Sequence, residues 1–512
     1  MILLIEPISK NTDMYVPAYP LPLMEIGSFV QASGLEGEVA IISMPVDYGL
    51  PLTREAKARI HDQFLKDLAE INPKGVGISC TAIAQAEEVM SLCELIKKHN
   101  PEIFVFLGGY FPTIYYEEIF ARTPSVDLIV MGEGELPTLM LTDGLRRGES
   151  PYDAQVPNAV WRRNGEIHGP CKMVSFDLRT KALLDLRLLR FPMEYDVLPY
   201  AFSRGCPYRC DFCMEGAIRP LRREVPAELV EKDLISLFRQ SQAKTLLISD
   251  ALFTSFEKLD LLQDVGIKAN FETRCDVMDV GIIPKIAKIC GILAIGLESA
   301  SYQTLRRMNK VKSRDHYQSY LTNALAIFKE AAKHEIPMMV FMIAGYPGDT
   351  EEDLEESLLF ANRLSSYGGT GGHVFKIGEC RVYPKTKLHT IASAMPGVVF
   401  DDQGVFGDNI VRRPSKHLDF ETVLEYMRRI YRLSNHTPKL ELAISNVMPL
   451  FRIPAKAFQD TSIPSKCFRD DNRDILNVQG ESLASLRNLI PGLRTKYHQL
   501  APDQRKSREL SI

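Results

Sequence analysis

The 512-residue chain is predicted to be an α/β protein with two successive parallel-sheet units and a mainly helical C-terminal region. Two observations carry this. Residues 1–145 alternate short apolar runs with helical patterns, the signature of a parallel sheet joined by crossover helices. From about 196 to 405 the alternation resumes with longer helices, as in a parallel β/α barrel or partial barrel. Between the two, residues 146–195 carry Pro151, Pro157, Pro170 and Pro192 and read as a connector.

In the first unit, strands are predicted at 2–5, 38–43, 75–79, 103–107 and 127–131. Helices fall between them, as from Ala84 to His99, where Val89, Leu92, Cys93 and Ile96 make a helical stripe. Gly108-Gly109 and Gly132-Glu133-Gly134-Glu135 are turns at the carboxyl ends of strands, where open parallel sheets bind ligands. In the connector, Ala159–Arg163, the Asn164-Gly165 turn and Glu166–His168 predict a hairpin, with Trp161 as a packing residue. The second unit is assigned strands at 198–204, 244–249, 268–274, 292–297, 337–343 and 374–382. Residues 406–512 are expected to be a cap and tail. Within them Glu421–Leu433 forms an amphipathic helix with Val423, Leu424, Met427 and Ile430 on one face, and the charged end, Asp503–Glu509, frays.

Composition excludes several classes. With 45% hydrophobic and 25% charged residues the chain is neither disordered nor fibrous. A net charge of −4 gives no general footing for nucleic acid or an anionic membrane. The local cluster Arg219, Arg222 and Arg223 reads as a solvated helix entrance or a substrate-anion contact. The apolar start, Met1–Pro7, is too short for a signal sequence, and no apolar run approaches the roughly 18 residues a membrane span needs, so a cytoplasmic location is expected. Ten cysteines, three of them clustered, fit a reducing compartment and a metal site. Cys80, Cys93, Cys290 and Cys380 read as buried small side chains. There is no G-x-S-x-G elbow, P-loop or H-E-x-x-H motif, so hydrolase and nucleoside-triphosphatase readings have no support.

The clustered cysteines are Cys206, Cys210 and Cys213, with the spacing C-x3-C-x2-C. Three thiolates at this spacing can hold three corners of one iron-sulfur cube and leave the fourth iron without a protein cysteine, because closed clusters and structural zinc sites usually take four. By themselves they also allow a redox pair with a buried thiol, or a zinc site completed by a distant residue.

The cysteine motif and four segments downstream of it resemble the radical S-adenosylmethionine enzymes. The four segments are Leu246–Phe253, Phe271–Arg274, Ile295–Ala300 and Met342–Thr350, in the order of that family's barrel strand ends. The first unit resembles the cobalamin-binding domain that precedes many such barrels, in Leu4–Pro7, Gly75–Thr81, Leu107–Thr113 and Met131–Glu135. The resemblance implies a Rossmann-like cobalamin-binding-type domain at 1–145, a connector at 146–195, a partial (β/α)6 radical SAM barrel at 196–405 and a C-terminal region at 406–512.

It further implies a [4Fe-4S] cluster on Cys206, Cys210 and Cys213. In the family the open iron chelates S-adenosylmethionine, and one electron cleaves its sulfonium bond to give a 5′-deoxyadenosyl radical. Phe212 corresponds to the aromatic residue near the adenine. Asp250 is either near the methionine moiety or a helix N-cap. Arg274 pairs with the methionine carboxylate or with Glu272 or Asp276. Glu298 and Ser299 contact ribose or the amino group, or else Ser299 or Ser301 caps a helix. Gly348 lets backbone approach the adenine, while Asp349 or Thr350 caps the next helix. Cys380 and Tyr383 close the sixth strand.

Cobalamin is expected over Ser79, Thr81, Gly108, Gly109 and Gly132. The first loop, Pro7–Asp13, lacks the D-x-H-x-x-G histidine of other cobalamin proteins, so any corrin is expected without an imidazole from that loop. The implied activity is methyl transfer to an unactivated centre of a small-molecule or peptide substrate, with an electron donor such as flavodoxin or ferredoxin. Radical rearrangement, cyclisation or oxidation is the alternative, and an electron-transfer or sensing protein is the rival of another class.

Overall fold

The computed structural model describes residues 1–9, 18–49, 54–152, 155–192, 195, 197–219, 221–241, 243, 245–263 and 267–447. The first sheet contains β1 (Ile2–Glu6), β2 (Val39–Ser43), β3 (Gly75–Ser79), β4 (Phe104–Gly108), β5 (Leu128–Val130), β6 (Ala159–Arg163) and β7 (Glu166–His168), in the order β2-β1-β3-β4-β5-β6-β7. The first five are parallel, and their continuous apolar sequences suit a sheet covered on both faces. The predicted hairpin is present as β6 and β7, and it extends the sheet antiparallel beside β5. Trp161 stacks on His168 with ring centroids 5.9 Å apart. The helix Ile83–His99 buries Val89, Leu92, Cys93 and Ile96, the predicted stripe.

The chain continues with β8 (Val197–Tyr200), β9 (Ser203–Arg204), β10 (Arg223–Glu224), β11 (Thr245–Ile248), β12 (Lys268–Arg274), β13 (Cys290–Glu298), β14 (Met338–Ala344) and β15 (His373–Glu379). The second large sheet is parallel and sequential, β8-β11-β12-β13-β14-β15, with β8 and β15 at its edges, so the predicted six strands form an open barrel. The predicted strand 198–204 is two pieces. After Tyr200 the chain leaves the sheet, and β9 pairs antiparallel with β10. The cause is Asp250, whose carboxylate accepts from the Phe202 amide at 2.7 Å and from the Ser203 hydroxyl.

Alternation along the strands decides what faces the lumen. On β12 the Phe271 ring packs outward against Phe253 and Phe256, which turns Asn270, Glu272 and Arg274 inward. Outside, the helix Arg314–Lys333 buries Tyr320, Ala324, Ile327, Phe328 and Ala331 as one stripe, and Ser313 caps it by accepting from the His316 amide. Thr350 caps the helix Glu351–Ser365, one of the two caps the sequence offered there. The predicted amphipathic helix is Phe420–Tyr431; Val423, Leu424, Met427 and Ile430 are buried, and it lies against β14, β15 and the helix Glu351–Ser365. Two short strands, β16 (Val399–Phe400) and β17 (Val411–Arg413), precede it. The charged end, Asp503–Glu509, lies outside the described residues, as do Lys10–Asp13 of the first loop. Among the described residues no helix is long and apolar enough to cross a membrane.

Candidate active site

The cysteine loop leaves β9 at the carboxyl end of the barrel, and it is pinned at several points. Gly205 has φ +88°, and a side chain there would run into the Leu221 carbonyl. The Cys206 amide donates to the Arg219 carbonyl at 3.0 Å, the Asp211 amide to the Met308 carbonyl at 3.0 Å, and the Leu388 amide to the Asp211 carbonyl at 2.9 Å. Arg209 Nη1 closes the loop on the Gly216 carbonyl at 2.7 Å. Cys206 and Cys210 are partly buried and Cys213 is exposed. Burial is the main influence on the Cys206 thiol and raises it above the ordinary cysteine range. Phe212 is half-buried between two of these cysteines. Among the described residues no three His, Cys, Asp or Glu side chains converge as a single-ion site requires. Three neighbouring soft sulfurs on one fixed loop fit an iron-sulfur cluster, which takes thiolate ligands.

The strand ends around the loop are placed as follows. Asp250 is buried and starts no helix; it holds the bend before the cysteines, and burial raises its carboxyl to about 6. Arg274 grips Asp276, not Glu272, through Nε at 2.9 Å and Nη2 at 2.8 Å, and its Nη1 donates to Cys210 Sγ at 3.2 Å. Glu298, at φ +62°, accepts from Lys310 Nζ at 2.7 Å. Ser299 meets Ser357 Oγ at 3.0 Å and accepts from the Ser301 amide, so Ser301, not Ser299, caps the next helix. Gly348, at φ +88°, donates to the Pro414 carbonyl at 2.7 Å in a tight turn. Asp349 is buried, accepts from Thr304 Oγ1 at 2.6 Å and pairs with Arg307. Cys380 is core, as are Cys80, Cys93 and Cys290.

A cavity of about 490 Å³ joins the two sheets. Ser79, Thr81, Gly108, Gly109 and Gly132, the five residues expected to meet a corrin, all line it. Pro199, Leu247 and Ser249 line it from the barrel, and Gly205 and Arg219 from the flanks of the cysteine loop. A Cβ on Gly108 would meet nothing within 4 Å, so this glycine leaves the cavity open. Gly109 differs: φ is +108°, and a Cβ there would lie 2.5 Å from the Cys80 carbonyl, so backbone packing demands glycine. A wide cradle at the carboxyl edge of a parallel sheet, opened by a missing side chain, fits a large flat cofactor.

The cavity wall also carries charged residues that sequence reasoning did not assign. Buried Arg204 pairs with Glu25 at 2.9 Å, Glu135 at 2.5 Å and Glu133 at 3.3 Å. Tyr110 donates to Glu215, and Arg219 lies 3.0 Å from Glu215 and over the Tyr110 ring. Burial raises Glu215 to about 7 and lowers Arg219 to about 10. The basic cluster is therefore neither a solvated helix entrance nor an open anion site. Arg223 binds Glu133 at 2.6 Å, Arg222 pairs with Glu224, and Arg219 with Glu215. The Gly132–Glu135 run signalled a ligand turn, but its carboxylates find their partner, Arg204, about 70 residues away.

Comparisons with known proteins agree with this geometry. Residues 14–140 match the B12 binding domain model and residues 200–361 the radical SAM superfamily model. The anaerobic magnesium-protoporphyrin IX monomethyl ester cyclase of Rubrivivax gelatinosus is 25% identical over 59% of this chain and 56% of its own length. An uncharacterized methyltransferase of Pyrococcus horikoshii is 26% identical over 59% of this chain and 68% of its own. The matches thus span a little over half to two thirds of these relatives. The fold is that of the radical S-adenosylmethionine methyltransferase TsrM from Kitasatospora setae, solved with cobalamin and a [4Fe-4S] cluster, with TM-score 0.62, 13% identity and coverage of 84% of this chain and 88% of that one. With its B12 binding domain, its three-cysteine loop at the mouth of an open six-stranded barrel and the cavity between them, the chain belongs to the radical S-adenosylmethionine superfamily, in the group with an N-terminal cobalamin-binding domain.

Proposed function

We propose that the protein is a cobalamin-dependent radical S-adenosylmethionine methyltransferase acting on an unactivated centre of a small molecule or peptide. The observation that carries this reading is the single cavity running from Gly108 and Gly132 to Leu247, Ser249 and the flank of the cysteine loop. Methyl transfer needs a methyl donor and a radical source facing one substrate, and this cavity offers both domains one shared space. When bound, the cluster supplies the electron that cleaves S-adenosylmethionine, and the corrin relays the methyl group.

The chain's own part is positional. Cys206, Cys210 and Cys213 hold the cluster, with Phe212 and Glu298 as candidates for contact with S-adenosylmethionine. Ser79, Thr81, Gly108, Gly109 and Gly132 border the corrin. Asp250 fixes the backbone that leads into the cysteines. Gly348, bonded to the Pro414 carbonyl, and Ser299, bonded to Ser357, shape the strand ends beside these contacts. A low-potential donor such as flavodoxin or ferredoxin supplies electrons.

The cyclase relative keeps radical cyclisation or oxidation as the second reading. The two separate in an anaerobic assay with methyl-labelled S-adenosylmethionine, reductant and candidate substrates. Methyl transfer yields S-adenosylhomocysteine with 5′-deoxyadenosine and moves label into product. Formation of 5′-deoxyadenosine alone, with unlabelled product, rejects methyl transfer.

A further inference from the structure

Arg274 stands out among the barrel's strand-end residues because each side of its guanidinium is occupied. Asp276 takes Nε at 2.9 Å and Nη2 at 2.8 Å, and the Lys310 carbonyl takes Nη2 at 3.2 Å. The Tyr208 ring lies 3.9 Å from the guanidinium carbon. His316 Nε2 lies 3.4 Å from Asp276 Oδ2, the same oxygen that accepts from Arg274 Nη2. Nη1 donates to Cys210 Sγ at 3.2 Å. Arg274 is 7% exposed, so its charge is little screened by water. A residue kept ready for a substrate carboxylate leaves its bidentate edge open, whereas here Asp276 fills that edge and the remaining donor points at a sulfur.

We infer that Arg274 is a positioning residue for electron entry: a fixed cationic donor to the sulfur of Cys210 that raises the reduction potential of the cluster. Taking one electron turns [4Fe-4S]2+ into [4Fe-4S]+ and adds a unit of negative charge near the cysteine sulfurs. A cation and an N–H···S bond stabilise the reduced state more than the oxidised one, and hydrogen bonds to the sulfurs are among the factors that set such potentials. Asp276 holds the guanidinium in plane and offsets part of its charge. The inference rests on Cys210 being a cluster ligand and is independent of methyl transfer.

The test is a redox titration of the full-length chain with reconstituted cluster and without S-adenosylmethionine. Titanium(III) citrate serves as the one-electron reductant, and the reduced cluster is followed by electron paramagnetic resonance. Arg274→Met is expected to disfavour reduction at least tenfold, a midpoint about 59 mV more negative for a one-electron couple. Arg274→Gln, which keeps a donor but loses the charge, is expected to fall between that value and wild type. A full iron content with an unchanged midpoint in Arg274→Met, and only a loss of S-adenosylmethionine affinity, overturns the inference. Should Arg274→Met fail to take up iron, Arg274→Gln decides: a negative shift supports the role and an unchanged midpoint rejects it. Failure of methyl transfer in the labelled assay would leave this midpoint result standing.

Discussion

Arg204 and Glu135 meet at 2.5 Å between the two sheet units, a guanidinium from β9 held by a carboxylate from the first residue of the helix Glu135–Arg147. Glu25 and Glu133 complete the set around the same buried side chain. Arg204 immediately precedes Gly205 and Cys206, so the ion pairs tie the cysteine loop to the wall of the proposed cobalamin cradle. Removing one partner of such a buried group is costly because the others are left uncompensated. Arg204→Met should lower stability by about 3–5 kcal/mol. A double-mutant cycle with Glu135→Gln, read by chemical denaturation, should show strong coupling; additive effects would make the pair incidental.

Each of Cys206→Ala, Cys210→Ala and Cys213→Ala should abolish a full [4Fe-4S] complement and S-adenosylmethionine cleavage after anaerobic reconstitution. Cys80→Ala, at a fully buried core position, should keep both. Iron and sulfide analysis with quantitation of 5′-deoxyadenosine checks this. Three variants with undiminished clusters would remove the basis of the assignment.

Adjacent glycines should behave differently. Gly108→Leu adds bulk to the open cavity, so corrin retained through gel filtration should fall while the Tm and the cluster stay close to wild type. Gly109→Ala should instead lower stability by about 1–3 kcal/mol, because φ +108° is unfavourable for a side chain and the Cys80 backbone stands in its way. Equal corrin retention in Gly108→Leu and wild type would place the cofactor elsewhere.

Burial raises the carboxyl of Glu6, on the cavity wall, to about 7, with a hydrogen bond from Ser43 opposing the shift. The unfolded group titrates near 4.5. Between these values the unfolded chain releases its proton first, so rising pH costs stability, and the loss is complete above about 7. The full shift corresponds to about 3 kcal/mol. Glu6→Gln should therefore raise the Tm relative to wild type at pH 8 and leave it nearly unchanged at pH 4. An equal difference at both values would assign the effect to packing.

Much of the architecture was legible in the amino-acid sequence because it depends on local rules. Apolar runs of strand length with helical stripes between them specify parallel sheets, and both sheets formed close to the predicted positions. The three cysteines were equally plain, since their chemistry lies in residue type and spacing within eight positions. Thr350 and the Asn164-Gly165 turn obey short-range rules and stand where the sequence put them.

What tertiary structure decided is which partner each polar side chain found. Asp250, read as a cap or a cofactor contact, holds the Phe202 amide and the Ser203 hydroxyl, some 48 residues earlier. Arg274 is turned to Asp276 and Cys210 by the inward register of β12, and Arg204 gathers three carboxylates from a different sheet unit. A buried charge must be compensated by whatever opposite charge the fold brings within reach, and that neighbour is set by how the two sheets meet, which no local pattern of residues encodes.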